Sequence, residues 1–82
     1  MSNQIDESLA ILEEIVSNIL NIDNLKLKLE QTAQDIDGWD SLVHAQILYA
    51  CESRFKIRFS LAEIGKLKTI GDLIDLIIEN KV

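Results

Sequence analysis

Eighty-two residues, 48% hydrophobic and 27% charged, suffice for one small domain over residues 1–82 and leave no length for a second. Fourteen Asp/Glu against eight Lys/Arg give a net charge of −6, which argues against nucleic acid and anionic membrane surfaces, since both attract a basic footprint. One cysteine (Cys51), one histidine (His44) and no proline exclude an intrachain disulfide, multi-cysteine or two-histidine metal sites and proline-rich segments. No run of about 18 apolar residues occurs, so no membrane span is expected. Met1–Asp6 has neither the basic start nor the apolar stretch of a signal peptide, and a cytoplasmic monomer is the expectation.

Ile5, Leu9, Leu12, Val16 and Ile19 recur at helical spacing, widened by Ile15 and Leu20, and predict an amphipathic helix over about residues 5–20. Asn21 tolerates left-handed backbone and is placed to end it. From Asn21 to Asp40 no helical period survives, so a long loop is expected. Inside it Leu25, Leu27 and Leu29 alternate with Lys26 and Lys28, and residues 55–59 (Phe-Lys-Ile-Arg-Phe) alternate likewise. Two readings stand: a short paired ribbon, giving an α+β fold, or leucines that anchor an extended loop onto helices. The second is preferred.

A second helix is predicted from Ser41 to Phe55. At 100° per residue Ile47, Leu48, Cys51 and Phe55 share one side, with His44 at its upper end. Leu42, Ala45, Gln46, Tyr49 and Ser53 share the other. Two apolar stripes on one helix suggest a core face and a docking face. Ser60-Leu61-Ala62-Glu63 has the form of a capping box and opens a short third helix ending near Gly65. Thr69-Ile70-Gly71-Asp72 opens the fourth in the same manner, followed by Leu73, Ile74, Ile77 and Ile78 on one stripe. The predicted fold is all-α: a small four-helix bundle, three main helices and a short third, with a long loop between the first two.

Ser41, His44 and Asp37 or Asp40 contain the residue types of a hydrolytic triad, but so small a bundle has little volume for an oxyanion hole and a substrate pocket. Cys51 sits seven residues, about 10 Å, beyond His44 and reads as a core hydrophobe. Asp35, Asp37 and Asp40 crowd together before the second helix, without the roughly six-oxygen spacing of a hard-cation loop. No metal site is expected; Asp40 reads as the helix N-cap and the others as a solvated acidic loop. Trp39 is placed to pack on His44 in a staple-like contact. Ser41 differs by position. A phosphate ester on it would meet the free N–H groups and positive dipole end of a helix.

Gly38-Trp39-Asp40-Ser41-Leu42 resembles the G-x-D-S-L signature of acyl carrier proteins and their aminoacyl and peptidyl relatives. Phe55, Ile57, the Ser60–Gly65 helix and Thr69-Ile70-Gly71-Asp72-Leu73 continue the likeness, which is good over residues 38–78 and looser before them. The resemblance implies that a phosphopantetheinyl transferase moves the 4′-phosphopantetheine arm of coenzyme A onto Ser41, between Asp40 and Leu42. The arm's thiol would then carry acyl or aminoacyl groups as thioesters between loading and acceptor enzymes. The chain would thus be a carrier rather than an enzyme. Docking would use Leu42, Ala45, Gln46 and Tyr49, with acid from Asp37 and its neighbours. Fatty-acid-type members carry several acids along the exposed side of the second helix; here those positions hold Val43, Gln46, Ser53 and Arg54, with only Glu52 acidic. A dedicated biosynthetic pathway is therefore expected. The alternative is a helical adaptor that docks through the second helix with Ser41 unmodified.

Overall fold

A computed structural model describes residues 4–80 of the chain. Helix α1 spans Gln4–Leu20 and buries Leu12, Ile15 and Val16 of the predicted stripe, together with Ser8, which the stripe did not include. It stops at Asn21, whose φ of 57° lets the Ile22 N–H reach back to the Ser17 carbonyl at 3.0 Å. Helix α2 (Ser41–Phe55) buries Ile47, Leu48 and Cys51. It ends on Lys56 in the left-handed region (φ 58°), with the N–H groups of Lys56 and Ile57 both closing on the Glu52 carbonyl. Helix α3 (Leu61–Gly65) opens on the predicted box: Ser60 Oγ accepts from the Glu63 N–H at 3.1 Å and Glu63 Oε1 accepts from the Ser60 N–H at 2.9 Å. Helix α4 (Ile70–Asn80) buries Ile70, Leu73, Ile74, Leu76 and Ile77, while Ile78 is half-buried at the edge.

α1 packs against both α2 and α4, and one continuous apolar cluster fills the space between them. The architecture is the predicted four-helix bundle, and no strand forms among the described residues. The ribbon alternative fails for a specific reason. Leu27 is buried and Leu25 half-buried, but the backbone around them is committed elsewhere. The Leu29 carbonyl accepts from the Gly71 N–H and the Gln31 carbonyl from the Ile70 N–H, both at 2.8 Å. The loop thus caps the first turn of α4, whose N–H groups have no partner inside their own helix. Gly71 permits this close approach, since a Cβ there would lie 3.1 Å from the Leu29 carbonyl oxygen. Glu13 of α1 holds the loop's other end, accepting from the Leu27 N–H at 2.8 Å. A single antiparallel bridge, Thr32 to Thr69, is the only sheet-like pairing among the described residues.

The loop also contains a single 3₁₀ turn, Ala33–Asp35, that hydrophobic periodicity did not predict. Asp35 Oδ2 accepts from the Thr32 N–H at 2.9 Å, and the Asp35 N–H donates to the Thr32 carbonyl at 3.0 Å. Beyond it Ile36 and Trp39 are buried, so the chain arrives at α2 pinned on both sides of Gly38. Gly38 itself sits at φ 87°, a turn conformation that a side chain disfavours.

Candidate functional site

The start of α2 is where these constraints converge. Asp40 is its N-cap, extended at φ −102° and ψ −172°, with its carboxylate accepting from the Val43 N–H at 2.8 Å. Its own carbonyl accepts from the His44 N–H at 2.8 Å. With Asp40 capping, the hydroxyl of Ser41 is released from that duty. Ser41 is the first residue of the helix, is exposed, and its side chain makes no hydrogen bond to any described residue. The N–H groups of Ser41 and Leu42 likewise find no acceptor among the described residues. An oxygen nucleophile therefore stands beside two unused donors at the positive end of a 15-residue helix.

His44 lies one turn on, half-buried, with its Nδ1 accepting from the Trp39 indole N–H at 3.0 Å. The expected Trp39–His44 contact is thus a hydrogen bond as well as packing. It also dismantles the triad reading: the histidine faces a donor where a catalytic imidazole needs a carboxylate, and Asp40 is occupied by Val43. Among the described residues no three His, Cys, Asp or Glu side chains are grouped to hold a metal ion. Asp35 is spent on Thr32, and Asp37 is exposed. Burial pushes the Cys51 thiol up to about 12, with Glu52 adding to the shift, so at neutral pH it is a protonated core side chain.

Three hollows border His44, two of them shared with Ser41. A shallow one is lined by Ala33, Trp39, Asp40, Ser41 and His44. A groove of about 380 Å³ runs between α2 and α3, bordered by Ser41, His44, Leu48, Tyr49 and Ile64. A small cavity of about 60 Å³ lies beneath Trp39 and His44 against Leu67, Ile70 and Leu73. Ile64 thus borders the groove and Leu67 the small cavity, and Leu42 lines neither. It sits outside, 69% exposed, and Tyr49 is 72% exposed on the same helix. Ala45 and Gln46 are exposed between them. The side of α2 opposite the core is open as the two-stripe pattern predicted. Sequence reasoning missed Leu61, which at 88% is the most exposed large apolar side chain described.

The start of α2 thus presents an exposed serine hydroxyl beside two unpaired backbone donors. Comparison with known proteins shows the family. The profile of the phosphopantetheine attachment site family matches residues 10–77. The acyl carrier protein of Acidothermus cellulolyticus is 32% identical over 72 residues, covering 88% of this chain and 86% of that one. The acyl carrier protein of Clostridium acetobutylicum is 30% identical over 66 residues, 80% of this chain and 86% of that one. Among solved structures, the solution NMR structure of holo acyl carrier protein from Geobacter metallireducens is 40% identical with a TM-score of 0.82, covering 89% of this chain and 84% of that one. The crystal structure of acyl carrier protein from Thermotoga maritima superposes with a TM-score of 0.83 at 27% identity, over 94% of this chain and 89% of that one. The chain belongs to the acyl carrier, or phosphopantetheine attachment, family. It is a carrier rather than an enzyme, its prosthetic group is phosphopantetheine, and it works with a phosphopantetheinyl transferase and partner enzymes.

Proposed function

We propose that Ser41 is the attachment residue and that the chain, as one domain over residues 1–82, carries acyl or aminoacyl groups in a dedicated cytoplasmic pathway. The observation that carries this reading is the free, exposed Ser41 hydroxyl on a helix start already capped by Asp40. The site fits the group chemically. A phosphodiester on Ser41 Oγ would be anionic beside the unused N–H groups of Ser41 and Leu42. The transferase supplies the base: as Ser41 Oγ loses its proton it bonds to the pantetheine-side phosphorus of coenzyme A, and the pyrophosphate P–O bond breaks to release adenosine 3′,5′-bisphosphate. When bound, the group supplies a reactive thiol that holds cargo as a thioester. The chain's own thiol is buried and protonated, so the cargo-bearing sulfur has to come from the arm.

A dedicated set of partners is supported by the open side of α2. Gln46 and Ser53 are exposed there in place of acids, while Arg54, exposed at the flank beside α1, pairs with Glu14 at 3.3 Å. The one acid, Glu52, is half-buried with its carboxylate accepting from the Phe59 N–H at 2.9 Å, which removes it from docking. Leu42, Ala45, Tyr49 and, across the groove, Leu61 then supply contact, with Asp37 and Asp40 at one end. Contact of this kind is weak enough to permit exchange between partners, while tethering keeps the cargo locally concentrated.

Incubation with coenzyme A and a phosphopantetheinyl transferase tests the attachment. Intact mass should rise by one phosphopantetheinyl group for the natural sequence and stay unchanged for Ser41→Ala; equal gain by both would refute it. Efficient turnover of the loaded carrier by fatty-acid elongation enzymes would refute the dedicated pathway alone.

A further inference from the structure

We propose that His44 is a binding residue for the prosthetic group, donating its Nε2–H to an oxygen of the phosphodiester that joins the group to Ser41. This rests on the attachment at Ser41 and adds a residue to it. The indole of Trp39 is a donor only, and its Nε1 lies 3.0 Å from His44 Nδ1. Nδ1 must therefore accept, and the neutral ring carries its proton on Nε2. Trp39 is buried, so the hydrogen bond and the tilted ring contact (centroids 6.1 Å apart) hold the imidazole from one side.

Nε2 has no partner among the described residues. No carboxylate accepts from it: Asp40 turns Oδ1 to the Val43 N–H, and Glu52 lies two turns further along α2 with Oε2 on the Phe59 N–H. His44 borders all three hollows, and Ser41 borders two of them. Trp39 lines two of them, while the α2–α3 groove has Ser41 and His44 on its wall and no Trp39. His44 and Ser41 thus share the wall of a groove that Trp39 does not line. Three residues apart on a helix, the two side chains start about 5–6 Å apart at Cβ. Oγ, phosphorus and one further oxygen span that gap. His44 Nε2–H then joins the free N–H groups of Ser41 and Leu42 as a third donor to one anion, and its tautomer is set before the anion arrives. Fixing the donor in advance reduces the ordering cost of the contact.

The test uses the loaded carrier with nitrogen-15 in its histidine, read by ring nitrogen and phosphorus-31 NMR at a pH where the imidazole is neutral. The ring should show the Nε2–H tautomer before and after loading, with loading shifting Nε2 more than Nδ1. The phosphodiester line should move in His44→Phe and return toward its original position in His44→Gln, whose side-chain amide restores an N–H. Trp39→Phe should mix the two tautomers. A Nε2 resonance indifferent to loading, or a phosphorus line identical in the natural sequence and His44→Phe, would overturn the role of His44 while leaving the attachment intact. No protein-bound phosphorus at all would overturn the attachment and this contact with it.

Discussion

Ser8 is fully buried in α1, and its hydroxyl has no hydrogen-bond partner among the described residues. Replacing it with alanine should stabilise the fold. An unsatisfied buried hydroxyl costs about 1–3 kcal/mol, and alanine adds a few tenths through helix propensity, roughly 0.5 kcal/mol. Against this stands the small void left by one oxygen, of order 0.3 kcal/mol at about 24 cal/mol per Å³. The balance is a gain of about 1–3 kcal/mol. For a domain of this size each kcal/mol moves the midpoint of thermal unfolding by about 4–8 °C. Circular dichroism during heating and urea titration reads both quantities. A variant less stable than the natural sequence would refute the reasoning, because it would mean that the hydroxyl is satisfied, for instance by the carbonyl one turn back in α1.

Removing the α2 cap with Asp40→Ala should cost about 1 kcal/mol in urea titration, and no loss would show that the Val43 N–H is satisfied otherwise. Acid should loosen α3 and α4. Backbone N–H groups of Thr69 and Lys68 hold the Asp72 carboxyl below its ordinary 3.8, and the Ser60 N–H, then the Asn80 amide, hold Glu63 below 4.5. A depressed folded-state value means stability complete above the unfolded-state value and lost as pH falls through the folded one. The urea midpoint should therefore drop between ~pH 5 and ~pH 3, and Asp72→Asn should flatten that drop; an unchanged slope would contradict it. Tyr49→Ala and Leu61→Ala should leave stability within about 0.5 kcal/mol and weaken transfer to and from partner enzymes. A large loss of stability would place these side chains in the core instead.

The helices were readable because their information is local. The stripe from Leu12 to Val16 and the run from Ile70 to Ile77 meet the core as their period demands. Ser60–Glu63 and Thr69–Asp72 close the boxes that their spacing announced. The start of α2 was readable for the same reason, since Asp40, Ser41 and their neighbours act within one turn. The loop was not, because its order comes from distant partners: Glu13 for the Leu27 N–H, and α4 for the carbonyls of Leu29 and Gln31. No pattern in residues 21–40 encodes those bonds. The 3₁₀ turn is a different case. Thr32 and Asp35 have the same three-residue capping spacing as the boxes that were recognised, and it went unread for want of an apolar stripe behind it. Trp39 against His44 was expected as packing; that an N–H to nitrogen bond joins them is a property of rotamers, which spacing does not convey.

Peptide mapping of the loaded protein tests the central claim most directly. Three serines are exposed among the described residues: Ser41, Ser53 and Ser60. Cleavage at lysine and arginine yields residues 29–54, holding the first two, separately from Ser60. Fragmentation of that peptide should place the whole phosphopantetheinyl mass on Ser41. Finding it on Ser53 or Ser60 would mean that a free hydroxyl at the tip of α2 is not what the transferase selects.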